Sequence, residues 1–432
     1  MTHHPVMPPP APRPDRRLTP RPLPLHLASA MLLWLSSRAA LTSWPGASPR
    51  SKAPGNPAPA NPADERLAAL ADDIERLGPE RVAAALDREL RRRAETFLDG
   101  LDAYRRHPFR RTPPRVPVRW RQGAAQLLDY GRAATRSKKG CAAVPTVLIV
   151  PSLINRYTIL DLLQERSFAR HLAGVGLRPL VLDWGEPGAA ESDFGLSDYI
   201  AGPLEAAVDT AVALAGGPVA VCGYCMGGLL ALALALRRPP ELACLLLLAT
   251  PWDFHAERRA QAQLLGLLAE FLPLLLGGSE PLPVPVIQGL FAALDPFLAE
   301  RKFIRFAGLD PQGAAAKSFV ALEDWINDGV PLPRRVALEC AQSWYRDNDP
   351  ARGAWHVAGR PVRPEAVTAP TLVVLPSRDR IVPPSSAEPL ATAIAGATVL
   401  RPPFGHIGMM ASTEAPQAVW QPIAHWLRGQ FA

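Results

Sequence analysis

The chain has 432 residues, of which 48% are hydrophobic and 20% charged, and its mean hydropathy is close to zero. This excludes a wholly disordered chain and a bundle of membrane spans, and leaves length for one large domain plus additions. The net charge is +7, but residues 1–63 hold seven Arg/Lys against one Asp and so carry +6 of it; the excess belongs to a tail and argues against a DNA-binding body. Five cysteines are too few and odd in number for a disulfide framework, so a reducing compartment is expected.

Proline punctuates residues 1–63. Pro8-Pro9-Pro10 and the run from Ala53 to Pro62 read as flexible or polyproline-like linkers. Between them lies the apolar stretch Leu23–Trp44, preceded by Arg13, Arg16, Arg17 and Arg21 and interrupted by His26 and Arg38. It is compatible with a signal peptide (Arg16-Arg17 even allows a twin-arginine reading), a single span, a surface anchor or a helix packed on its own protein. Arg38 weakens the span and the cleaved leader, because a surface helix tolerates an arginine that snorkels aside. Residues 64–107 are expected to be helical. Leu67, Leu70, Ile74 and Leu77 recur at helical spacing, Gly78-Pro79 breaks the run, and a second helix places Leu86, Leu90, Phe97, Leu98 and Leu101 on its apolar side. Arg91-Arg92-Arg93 reads as a solvated face.

From about residue 115 short apolar runs alternate with helical stretches. The runs are Thr146–Val150, Pro179–Leu182, Val219–Cys222, Leu242–Ala249, Thr371–Leu375 and Ala397–Leu400, each continuous, as in strands buried on both faces of a parallel sheet. Helices are expected at Leu160–Ala173, Asp198–Leu214, Gly227–Arg237, Ser385–Ala395 and Pro416–Arg428. The pattern is α/β and doubly wound. Residues 252–365 are far more than a crossover needs, and Leu264–Leu276 and Ile287–Leu298 are apolar within them; a helical cap insertion is expected. The domain reading is therefore a basic, Pro-rich arm with an apolar helix (1–63), a helical N-terminal region (64–114), an α/β-hydrolase-type core (115–251 and 366–432) and the cap (252–365).

The chemistry-bearing segment is Val219-Ala-Val-Cys-Gly-Tyr-Cys-Met-Gly-Gly228. A buried strand runs into Gly-x-Cys-x-Gly and a helix follows at once, which is a nucleophile elbow with cysteine in place of serine. The turn lifts the Cys225 thiol to the N-terminus of a helix, whose dipole favours thiolate, and turns the Met226 N–H toward a developing oxyanion. The pair Cys222 and Cys225 reads less well as a redox motif, because Cys222 falls inside the strand. A zinc site lacks a second ligand pair. A cysteine nucleophile needs a base and an orienter, in the order nucleophile, acid, histidine on this fold. Of His255, His356, His406 and His425, His406 is best placed, in the loop Phe404-Gly-His-Ile-Gly408 after the last strand; Asp379 ends Thr371-Leu-Val-Val-Leu-Pro-Ser-Arg-Asp379 at the catalytic edge. The loop Pro151-Ser-Leu-Ile-Asn-Arg156 should supply the second oxyanion donor, from Leu153 or Ile154, with Ile154 favoured. No metal, phosphate loop or dinucleotide fingerprint is evident, and no cofactor is expected.

These residues resemble the polyhydroxyalkanoate (poly-3-hydroxybutyrate) synthase family. The likeness is carried by Val150-Pro-Ser-Leu-Ile-Asn-Arg-Tyr-Thr-Ile-Leu-Asp-Leu162, Val181-Leu-Asp-Trp-Gly185, Gly223-Tyr-Cys-Met-Gly-Gly228, Asp324-Trp-Ile-Asn-Asp-Gly-Val330, Arg378-Asp-Arg-Ile-Val-Pro-Pro384 and Gly405-His-Ile-Gly408, in order over roughly residues 105–430. The resemblance implies an acyltransferase that polymerises 3-hydroxyacyl-CoA. Cys225 would bear the acyl group, His406 act as base and Asp379 be the third member, with a part in activating the incoming hydroxyl. It further implies a cytoplasmic protein associated with polyester granules, with a homodimer or a second synthase subunit as partner and no nucleic acid. A cysteine thioesterase or polyester depolymerase on the same scaffold, and a non-catalytic granule-associated protein, are the other readings.

Overall fold

The structure is a computed structural model that describes residues 17, 19–42, 62–131, 144–257, 259–275 and 281–431. Pro8-Pro9-Pro10, Arg13, Arg16, Trp44 and all but the last residue of the run from Ala53 to Pro62 lie outside the described residues. The chain divides into two compact units, one formed by the residues up to Pro108 with Asp295–Val320, the other by Phe109–Leu294 with the residues from Ala321 onward.

The first unit is helical: α1 (Leu23–Thr42), α2 (Pro62–Leu77), α3 (Pro79–Arg106) and, from the later segment, α10 (Leu298–Ala307). The expected break between α2 and α3 falls at Gly78, whose φ of 84° and following proline suit a helix start. On α3 the buried residues are Phe97, Gly100, Leu101 and Tyr104, spaced to form one stripe. Phe303 of α10 meets it edge-on, 6.4 Å from the Phe97 ring and 5.6 Å from Tyr104. A Cβ at position 100 would lie 2.1 Å from the Phe303 carbonyl oxygen, so the close crossing of the two helices requires glycine. Leu98, expected on the apolar side, is exposed, as are Leu70 and Leu77 of α2; Ile74 is buried.

Two charges in this unit differ from the sequence-based expectation. Arg93 is not merely solvated, since it forms an ion pair at 2.8 Å with Glu300, which is buried and also accepts from the Trp34 Nε1–H. Arg38 pairs with Asp87 at 2.8 Å instead of snorkelling. Helix α1 thus packs on its own protein through Ala30, Trp34 and Arg38, while Leu25, Met31, Leu32 and Leu35 remain exposed along its other face. Among the described residues no helix is long and apolar enough to cross a membrane.

The second unit is built on an eight-stranded sheet. Its strands are β1 (Val118–Gln122), β2 (Ala125–Asp129), β3 (Thr146–Val150), β4 (Arg178–Asp183), β5 (Val219–Tyr224), β6 (Leu242–Leu248), β9 (Thr371–Val374) and β10 (Thr398–Leu400), with β7 (His356–Val357) and β8 (Arg360–Pro361) forming a separate small hairpin. The order is β1-β2-β4-β3-β5-β6-β9-β10; β1 and β2 are antiparallel to their neighbours and the rest run parallel. All six apolar runs are strands. The β1–β2 hairpin escaped the pattern because β1 reads Val-Arg-Trp-Arg-Gln at an exposed edge, with no apolar run to signal it.

Alternation along β5 sends Val219 and Val221 to one face of the sheet and Ala220, Cys222 and Tyr224 to the other. The first face is covered by α6 (Glu205–Ala215) and α7 (Met226–Arg237), the second by α4 (Phe168–Gly174), α14 (Gly408–Ala411) and α15 (Gln421–Gly429). The helix expected at Leu160–Ala173 is broken. A 3₁₀ turn at Tyr157–Asp161 precedes α4, which starts only where Ser167 Oγ accepts from the Arg170 N–H at 3.0 Å. Asp161 holds the intervening loop, accepting from the Tyr130 hydroxyl at 2.8 Å and from Arg170 Nε at 2.7 Å. The stretch expected at Asp198–Leu214 runs as α5 (Leu196–Tyr199), a π turn at Ile200–Leu204 that contains Pro203, and α6; a proline cannot donate to the ladder, and the wider turn absorbs the loss. Between β6 and β9 the chain is mostly helical, with α8 (Arg259–Leu275), α9 (Val284–Ala292), α10, α11 (Ala314–Asn327), α12 (Arg334–Glu339) and a π segment at Cys340–Arg346. Helix α13 (Pro384–Ala393) links β9 to β10.

Candidate active site

Strand β5 ends at Tyr224 and α7 begins at Met226, so Cys225 alone makes the turn. Its φ of 56° and ψ of −125° place a non-glycine residue in a region that costs on the order of 1–3 kcal/mol. The surroundings hold it there. The Cys225 N–H donates to the Leu248 carbonyl at 2.8 Å, and its carbonyl accepts from the Gly228 N–H at 2.9 Å. A Cβ at Gly223 would lie 2.4 Å from the Gly228 Cα, and one at Gly227 would lie 2.2 Å from the Val150 carbonyl oxygen. The glycines therefore let strand, helix and the β3 loop approach one another more closely than any side chain allows. Cys225 is half-buried and, like the other described cysteines, a free thiol.

His406 and Asp379 come together as expected. Asp379 follows β9, and its Oδ1 accepts from the Ile381 and Val382 N–H groups, both at 2.8 Å. Its Oδ2 lies 2.7 Å from His406 Nδ1. The side chain of Asp379 is 0% exposed and that of His406 7%. With Nδ1–H committed to the carboxylate, Nε2 is left for the thiol, and His406 is hydrogen-bonded to Cys225. Burial opposes a charge on this ring, but the Cys225 thiolate and Asp379 outweigh it and raise the pKa of His406 to about 10. A buried histidine drawn toward its protonated form beside a thiol is the geometry that a cysteine nucleophile requires.

The remaining sequence candidates separate clearly. His255 Nε2 bonds to the Tyr345 carbonyl at 2.8 Å, His356 Nδ1 bonds to the Ala354 carbonyl, and His425 is exposed on α15. Cys222 is fully buried, and desolvation pushes its thiol well above the ordinary range. Met226 opens α7, where first-turn N–H groups lack helical partners. The Ile154 N–H lies 3.4 Å from Ser152 Oγ, a long contact, while its carbonyl accepts from the Val330 N–H at 3.1 Å; Leu153 is buried. The segment Asp324–Val330 is tied to the same loop by Trp325 Nε1–H donating to the Arg156 carbonyl at 2.9 Å and by Arg156 Nε to Asp328 at 3.0 Å. Cys225 borders the same hydrophobic core as Phe254, Trp344, Tyr345 and Trp355, of which the Phe254 ring lies 4.9 Å from Tyr345 and 5.8 Å from Trp344.

One neighbour was not singled out from sequence. Tyr224 is buried, its hydroxyl donates to the His406 carbonyl at 3.1 Å, and its ring stacks on the imidazole with centroids 5.2 Å apart. The available signal was the alternation of β5, which sends position 224 to the face where the histidine loop lies.

The family profile for the alpha/beta hydrolase fold matches residues 145–412, and the chain belongs to that family. Within it, the chain is similar to proteins named poly(3-hydroxyalkanoate) polymerase subunit PhaC. It is 27% identical over 297 residues to the one from Haloarcula marismortui, covering 65% of this chain and 60% of that protein. For that from Allochromatium vinosum the identity is 28% over 286 residues, covering 65% and 80%, and for that from Cupriavidus necator 29% over 294 residues, covering 65% and 48%. The chain thus spans between about half and four fifths of the length of these relatives, and the resemblance expected from the six motifs is borne out.

Replacing the candidate nucleophile tests the site directly. Cys225→Ala is expected to abolish thioester formation, a loss of at least about 10³-fold, with an unchanged circular dichroism spectrum. Cys222→Ala is expected to stay active. An active Cys225→Ala enzyme beside an inactive Cys222→Ala enzyme would refute the assignment.

Proposed function

We propose that this chain is a polyester synthase, an acyltransferase that polymerises 3-hydroxyacyl-CoA with release of CoA through a thioester on Cys225. The observation that carries the reading is the thiol held at the elbow and hydrogen-bonded to a buried His406 that Asp379 fixes. A thiolate exchanges acyl groups with a thioester at little energetic cost, because the product on the enzyme is again a thioester.

In the loading step the Cys225 thiolate attacks the thioester carbonyl, and the oxyanion takes the N–H groups of Met226 and Ile154, the latter exchanging its long contact to Ser152 for a charged acceptor. The tetrahedral intermediate expels the CoA sulfur, which takes the His406 proton and leaves as free thiol. In the elongation step His406 accepts the hydroxyl proton of an incoming 3-hydroxyacyl-CoA as that oxygen attacks the Cys225 acyl group. The new ester bond forms as the C–S bond to Cys225 breaks, and the lengthened chain, now on CoA, is reloaded. Because the Asp379 side chain is inaccessible, the hydroxyl meets His406, and Asp379 acts in both steps by holding the ring. The aromatic cluster of the cap, residues 252–365, keeps water from the acyl-enzyme so that alcoholysis outruns hydrolysis. The exposed face of α1 supports a docking role for the N-terminal arm, on the polyester granule or on a second synthase subunit.

Three outcomes test this. Purified protein given 3-hydroxybutyryl-CoA should release CoA in step with a product of rising molecular weight; CoA release with free 3-hydroxybutyrate as the end product would make it a thioesterase. In single-turnover loading, His406→Gln and Asp379→Asn should both lose about 10²–10⁴-fold, whereas normal loading with failed elongation in Asp379→Asn would return that residue to the hydroxyl. Changing Met31, Leu32 and Leu35 together to serine should leave Cys225 loading intact while lengthening the lag before polymer and reducing the protein recovered with granules; unchanged recovery would exclude that face from docking.

A further inference from the structure

His406 has two edges and two faces, and its edges are occupied. Asp379 takes Nδ1 at 2.7 Å and Cys225 lies at the other end of the ring. One face is covered by Tyr224, whose ring is inclined by 30° to the imidazole with centroids 5.2 Å apart, within the distance at which a cation gains from an aromatic face. The same tyrosine donates its hydroxyl to the carbonyl of His406 itself at 3.1 Å. Tyr224 is also the chain neighbour of Cys225. A single residue at the end of β5 therefore touches the ring, the backbone that bears the ring and, through one peptide bond, the nucleophile.

We propose that Tyr224 is a positioning residue for this site, its ring face supporting the imidazolium of His406 and its hydroxyl fixing the His406 loop at the height of the thiol. The proposal rests on the reading of Cys225 and His406 as nucleophile and base. The imidazolium is buried, and burial is the leading influence against its charge. Asp379 and the Cys225 thiolate supply charge in the plane of the ring, and the negative face of Tyr224 supplies the stabilisation perpendicular to it. The other groups near the pair are Tyr345, which the Cys225 charge reaches from the π segment, and Arg378 and Arg380, which flank Asp379 with exposed residues. The hydroxyl is itself buried. Donating to the His406 carbonyl satisfies it and spans the 182 residues between the two positions, so that the loop cannot drift from the elbow without breaking a buried hydrogen bond.

The two contributions separate by substitution. Iodoacetamide alkylation of Cys225, localised by peptide mass spectrometry and followed from about pH 5 to 11 across the histidine and thiol range, reads the ion pair without using substrate. In Tyr224→Leu the alkaline midpoint of the profile, where His406 gives up the imidazolium proton, should move down by about half to one pH unit, since the imidazolium loses its aromatic face, while the acid limb, with the imidazolium present on both sides, should stay in place. Tyr224→Phe should keep the wild-type midpoint, rescuing the ring's part, while its plateau rate falls about fivefold for the lost hydrogen bond. A folded Tyr224→Leu with the wild-type midpoint, or a Tyr224→Phe with both midpoint and plateau unchanged, would overturn the proposal; the second criterion decides alone if the leucine variant does not fold. His406→Gln separates this from the underlying reading: if its profile matches wild type, Cys225 and His406 are not paired, whatever the tyrosine variants do.

Discussion

The left-handed backbone at Cys225 is a conformation that an L-residue resists, and the rest of the second unit is arranged so that it cannot relax. Strand β5 is buried at every position and α7 is buried from Met226 to Ala235, so rotating the turn would drag both out of the core. Each flanking glycine removes a Cβ that would collide with backbone, at Gly223 against α7 and at Gly227 against the end of β3. The strain is small beside the apolar burial of these two elements, at roughly 25 cal/mol for each Å². It fixes at once the height of the thiol, the direction of the helix dipole and the Met226 N–H.

Three buried carboxylates are held by arginines. Asp129 meets Arg119 and Arg178, Asp161 meets Arg170 and Arg111, and Glu300 meets Arg93, so these three are offset by permanent cations that cannot release a proton. Asp379 is met instead by two backbone N–H groups and a ring that is neutral unless it takes a proton. Its charge therefore bears on the one neighbour able to respond, and His406 is drawn toward the imidazolium form. For the proposed mechanism the difference matters: a guanidinium in place of the ring would cancel the carboxylate and leave no group able to exchange a proton with the thiol.

The core strands were legible because strands with two buried faces are continuously apolar, as β3 and β5 illustrate. The elbow was legible because its glycines answer to a local requirement, and Asp379 and His406 because both follow strands at the same sheet edge. What escaped depended on contacts distant in sequence. The Leu160–Ala173 segment has helical composition throughout, but the pull of Tyr130 and Arg170 on Asp161 and the cap at Ser167 decide where it winds. Arg93 looks like any helix-surface arginine until Glu300 is found beneath it. Tyr224 could be placed on a face by alternation, but the loop that its hydroxyl meets lies 182 residues away.

The ends of the sheet bear on how the protein behaves when crowded. One edge is β1, where Arg119 and Arg121 alternate along an exposed strand; the other is β10, only three residues long. Neither offers the long, flat, uncharged row of amides that a foreign strand needs in order to add itself. At high concentration edge-to-edge β pairing is therefore disfavoured at both ends of the sheet. Self-association is left to side-chain surfaces, which can release as well as bind, and the ordered cross-β aggregates that would trap the chain irreversibly find no template at either edge of this sheet.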